Sequence, residues 1–114
     1  MPSPTDPTDV AALLANLWTQ ARPTVLERVE VLRRAGEAAA DDGLDAPARE
    51  VARGEAHKLA GLLGSYGIAG GTELARDAER RLEGDAPVDG AALTSIAARL
   101  RALAETAVPD TTGD

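Results

Sequence analysis

Nowhere in this chain do apolar and polar residues alternate over the length of a strand, whereas apolar residues three and four positions apart recur from Val10 to Leu103. That periodicity calls for helices and leaves nothing from which to build a sheet. The breaks between periodic stretches are chemically marked. A short first helix is expected to use Asp9 as N-cap, to present Val10, Leu13, Leu14 and Leu17, and to end near Arg22, because Pro23 disfavours helical geometry in the residue before it. Pro23 suits the first turn of a second helix, which carries Val25, Leu26, Val29, Leu32 and Ala39 and stops at Asp41-Asp42-Gly43. Asp45 is the N-cap of a third, with Pro47 in its first turn, running to about Tyr66. Gly67, Gly70 and Gly71 make the next turn. Leu74, Ala78 and Leu82 then mark a fourth helix closing at Gly84, and a fifth follows Pro87 with Leu93, Ile96, Leu100 and Leu103. These elements describe an all-α fold, an antiparallel four-helix bundle with a short N-terminal helix.

The core of such a bundle has to come from small aliphatic side chains. Of the 114 residues 44% are hydrophobic, yet one is Trp, one Tyr and none Phe, which favours helices packed at close range. The length fits one domain. Residues 9–107 are assigned to the bundle, and residues 1–8 and 108–114, rich in Pro, Thr, Asp and Ser, to disordered tails. The net charge of −7 is spread along the chain, which argues against nucleic acid as a partner, since phosphate backbones are held by clustered Lys and Arg. The absence of cysteine excludes disulfides and thiolate metal sites. No apolar run approaches the roughly 20 residues that span a bilayer, and the start of the chain has neither the basic nor the hydrophobic region of a leader. A cytoplasmic protein without a membrane partner is expected. Its Ala-, Arg- and Gly-rich, lysine-poor composition has a bacterial look.

Chemistry concentrates in one stretch, EAHKLAGLLGSYGIAGG, residues 55 to 71. It holds the only histidine of the chain, His57, beside the only lysine, Lys58. On a helical wheel of about 100° per residue, Ala48, Val51, Ala52, Leu59, Leu62, Leu63 and Tyr66 fall opposite His57, so the imidazole points away from the core. Glu50, Arg53, Gly54, Gly61 and Gly64 share its face. Each glycine costs about 1 kcal/mol of helix stability relative to alanine. Three on one face leave either a bare surface for something to approach closely or a seat for a neighbouring helix. An imidazole is largely uncharged at neutral pH, and one exposed on a rigid helix can attack phosphorus. Lys58, or Arg53 one turn earlier, would then hold the phosphoryl oxygens as charge develops. No second histidine, no cysteine and no GxxxxGK loop supplies further machinery, which points to a carrier whose partner brings the catalytic groups.

At these residues the chain resembles the histidine-containing phosphotransfer (HPt) domain family of bacterial two-component phosphorelays. The matching positions are His57-Lys58-Leu59-Ala60-Gly61, then LLGSYG to Gly67, then Leu74, Ala78 and Leu82 on the following helix. Two positions depart from the family pattern. Ala60 stands where a lysine is usual, and Gly71 where a leucine is usual near the start of the next helix.

The resemblance implies a phosphocarrier rather than an enzyme, with His57 as phosphoacceptor and Lys58 as a stabiliser of the phosphoryl group. It also implies docking of a response-regulator receiver domain or a histidine kinase on Arg53, Gly54, Gly61, Gly64 and Arg76, with Arg80 at the rim. No cofactor is expected on this chain, magnesium belonging to the receiver, and a monomer is expected rather than a dimer. Two other readings stay open: a bundle of the same fold that binds without being phosphorylated, which Ala60 favours, and the phosphoacceptor domain of a chemotaxis-type kinase.

Overall fold

The computed structural model of the chain describes residues 7–109. Four helices follow one another: α1 (Pro7–Ala40), α2 (Ala46–Ser65), α3 (Gly71–Leu82) and α4 (Gly90–Thr106). Helix α1 packs on α2 and α4, and α3 packs on the same two, so the helices stand in chain order around one core. Their short connections make neighbours antiparallel. No helix among the described residues is long and apolar enough to cross a membrane. Of the expected tails, residues 1–6 and 110–114 lie outside the described residues, whereas Pro7 and Thr8 already belong to α1.

Most of the helix ends are set by the residues that signalled them. Asp45 caps α2, its side chain accepting a 2.8 Å hydrogen bond from the Ala48 amide, and Pro47 occupies the first turn, where no amide donor is missed. Asp89, which the reading of a helix after Pro87 did not single out, does the same for α4 through the Ala92 amide at 3.0 Å. Helix α2 ends where Gly67 turns into the left-handed region at φ 64° and the Ile68 amide reaches back to the Leu63 carbonyl at 3.0 Å. Ile68, 4% exposed, then folds over that end of the core.

The expected break before Pro23 is absent. The two stretches form a single helix of 34 residues with Pro23 inside it. Proline removes one intrahelical donor, which would normally kink or end a helix. Here Trp18 and Val25, two turns apart and therefore on one face, are both fully buried, and continuous helix keeps them both in the core. Tertiary packing outweighs the local preference.

The core is built as the composition requires. Val25, Val29 and Leu32 of α1 meet Ala52, Ala56, Leu59 and Leu63 of α2, Ala75, Ala78 and Leu82 of α3, and Leu93, Ile96, Leu100 and Ala104 of α4. Trp18 closes one end against Tyr66, ring centroids 5.3 Å apart. The buried stripe of α2 is rotated from the one read on the wheel: Ala56 and Ala60 are inside, while Ala48 and Val51 are exposed. The residues the wheel left out, Ala56 and Ala60, are alanines, which carry little weight when a stripe is drawn through the larger apolar side chains.

Candidate functional site

His57 sits a little past the middle of α2, on the side that faces α3. Its side chain is 72% exposed, and its Nδ1 lies 3.0 Å from Glu79 Oε2 on α3. A carboxylate can only accept, so the Nδ1–H donates and the lone pair belongs to Nε2. One nitrogen is thus tied down on a ring that is otherwise open to solvent.

The pairing follows from how α2 and α3 fold against each other. Glu79 stands as far after Ile68 as His57 stands before it, so an antiparallel hairpin turning at Ile68 brings the two level. Arg49 fixes that register by donating to the carbonyls of Leu82 and Glu83 at 2.8 and 2.9 Å, and the Thr72 hydroxyl donates to the Ala60 carbonyl at 3.3 Å. Glu79 is itself only 17% exposed and lies 3.6 Å from Arg53, which forms a two-bond pair with Glu50 at 2.9 and 2.6 Å. The Arg53 hydrogen bonds hold the Glu50 carboxyl below the usual carboxylate range, and Glu50 in turn pushes Arg53 upward. Arg53 therefore stands as a fixed cation behind Glu79 rather than a free arm over the imidazole.

The flanking glycines separate into two kinds. A methyl group placed on Gly54 or Gly61 would meet nothing within 4 Å, so the surface on either side of His57 is bare. One on Gly64 would lie 3.2 Å from the Thr72 hydroxyl, so that glycine is a seat for α3. Gly61→Ala should accordingly stabilise the protein by about 1 kcal/mol, the helix-propensity difference with no clash to offset it. The denaturation midpoint is the readout. If the bare surface serves a docking partner, the same substitution should slow phosphoryl transfer from that partner; an unchanged rate would assign Gly61 no part in docking.

Lys58 and Arg76 lie on opposite sides of this ring. Lys58 Nζ is 3.8 Å from Glu55 Oε1, on the flank of α2 that faces α1. Glu55, in turn, is bound by Arg28 of α1 at 2.6 Å. The shallow depression beside the imidazole, of about 320 Å³, is lined instead by His57, Ala60, Gly61, Arg76, Glu79 and Arg80. Arg80 is drawn to Asp77 at 3.7 Å, as is Arg81 at 3.1 Å. Arg76 lines the depression and forms no ion pair among the described residues. Ala60 is 8% exposed and supplies a core methyl group there.

Glu79 is the residue that sequence reasoning missed. Its signal was present in the equal spacing about Ile68, but it becomes visible only once α2 and α3 are taken as a hairpin. Comparison with protein-family models, with curated proteins and with solved structures finds no match for this chain.

Proposed function

We propose that this chain is a histidine phosphocarrier of the HPt type, which takes a phosphoryl group onto His57 from a receiver-domain aspartate or a kinase and passes it to another receiver aspartate. The observation that carries the reading is the His57–Glu79 pair: an exposed imidazole whose Nδ1 is held by a carboxylate, leaving Nε2 as the nucleophile between two bare glycine positions.

In the forward step the Nε2 lone pair attacks phosphorus, the Nε2–P bond forms, and the donor's acyl P–O bond breaks, its electron pair leaving with the donor carboxylate. Nδ1 keeps its proton, so the ring becomes cationic as the bond forms, and the Glu79 carboxylate at 3.0 Å balances that charge. Arg76 is the side chain of this chain best disposed to meet the phosphoryl oxygens. In the return step the acceptor aspartate attacks phosphorus and the electron pair of the Nε2–P bond returns to the ring. Magnesium and the acidic groups that bind it belong to the receiver in this scheme.

The test is to incubate the full chain with a phosphorylated receiver domain, or with phosphoramidate, and to read phosphoryl incorporation by intact mass. One acid-labile, alkali-stable group per chain is the expected result. A folded protein that takes up nothing from competent donors would remove the reading and leave a bundle that binds without being phosphorylated, for which buried Ala60 in place of the family's lysine is the supporting feature.

A further inference from the structure

We infer that the N-terminal turns of α1 are a dimerisation surface, on which two copies of this chain pair antiparallel through Val10, Leu13, Leu14 and Leu17. Helix α1 is longer than the bundle it belongs to. At 1.5 Å per residue it runs about 51 Å, against about 30 Å for α2 and about 26 Å for α4. The excess lies at its N-terminal end. The last cross-bundle contacts are those of Trp18, 1% exposed, and the Leu17 carbonyl, which accepts from the Tyr66 hydroxyl at 3.3 Å. Beyond them the helix continues, and Val10, Leu13 and Leu17 are 46%, 60% and 43% exposed.

Four observations select a second copy as the occupant of this face. First, residues 10–21, VAALLANLWTQA, contain no charged side chain in a chain that is 27% charged, so two molecules of net charge −7 can meet along this helix without opposing charges. Second, the segments of this chain outside the described residues, MPSPTD and DTTGD, hold one large apolar side chain, Met1, and cannot cover the stripe. Third, the four apolar positions fall within an arc of about 100° and their spacing reads the same from either end about the midpoint between Leu13 and Leu14. A two-fold axis there sets Val10 of one copy against Leu17 of the other and gathers both copies' Leu13 and Leu14 at the centre, the self-complementarity that an isologous contact demands. Fourth, antiparallel pairing sends the two acidic bundles to opposite ends and leaves both His57 faces uncovered, whereas parallel pairing would lay the bundles side by side.

Two short helical projections bury less than the roughly 800 Å² per partner of a stable interface, so the dimer is weak and depends on concentration. It replaces the monomer expected from the sequence, and it does not rest on the phosphotransfer reading.

Sedimentation equilibrium of the full chain over a concentration series tests the inference. The mass should rise from 11.7 kDa toward twice that value, and Leu13→Glu, at an exposed position, should hold it at the monomer with unchanged helical circular dichroism. Because the chain has no cysteine, single replacements report the orientation. Under mild oxidation Leu13→Cys should cross-link to its copy, whereas Val10→Cys should not, its two copies standing about 10 Å apart along the helices, beyond the reach of a disulfide. A wild type that stays monomeric throughout overturns the inference, including one that instead binds anionic lipid vesicles. So does a Leu13→Glu variant that dimerises like the wild type, or a Val10→Cys variant that cross-links as readily as Leu13→Cys.

Discussion

His57→Gln should abolish phosphoryl uptake and leave the bundle folded. The side chain is 72% exposed and fills no part of the core, so the substitution should change stability by no more than about 0.5 kcal/mol. Glutamine keeps the length of the side chain and a donor for Glu79 but has no ring nitrogen with a free lone pair. Intact mass after incubation with a phosphorylated receiver should show no label, while the thermal transition stays where it was. Glu79→Gln makes the complementary case. It preserves an acceptor for the Nδ1–H and removes the charge that balances the cationic ring, so uptake should slow by about 10- to 100-fold, the range found for other partners that orient an imidazole. A purely structural role for Glu79 would lower stability and leave the rate per folded molecule alone. Imidazole nitrogen chemical shifts separate the two accounts, because loss of the carboxylate should raise the population of the tautomer protonated on Nε2.

Much of this architecture was legible because its signals are local. The aspartate cap at Asp45, the glycines at the end of α2 and the apolar spacing of α4 act within one or two turns. Pro23 was misread for the opposite reason. The proline penalty is local, but the burial of Trp18 and Val25 that overrides it comes from packing of α1 on α2 and α4 and has no local trace. The site shows the same division. His57 and its bare glycines could be placed on one face from the sequence, since they share a helix. Glu79 sits on another helix and required the hairpin register before it could be set beside the imidazole, whereas Arg76, on that same helix, entered through the family resemblance. Glu55 is likewise held from another helix, by Arg28 of α1 at 2.6 Å, a pairing that no local spacing reveals.

Gly90→Ala should lower stability by about 2 to 3 kcal/mol, the opposite sign from the same change at Gly61. Gly90 opens α4 at the point where its backbone crosses α1. A methyl group there would run into the Gly36 carbonyl oxygen and stand 2.6 Å from the Ala40 amide nitrogen and 3.0 Å from its Cα. All three are backbone atoms, which have no rotamer to yield. Gly36 answers from the other side, its own added methyl lying 2.9 Å from the Thr94 nitrogen. The two glycines form a seam on which α1 and α4 touch main chain to main chain, and an alanine at either position forces the helices apart along a buried interface. The propensity gain of about 1 kcal/mol that alanine brings to a helix interior is reduced at the first helical position and cannot offset that separation. Chemical denaturation would give the difference directly. The seam lies between α1 and α4, whereas His57 and Glu79 bridge α2 and α3. Phosphoryl uptake per folded molecule should therefore match the wild type at temperatures below the lowered transition, so that one glycine pair governs whether the bundle holds and another governs what can approach the histidine.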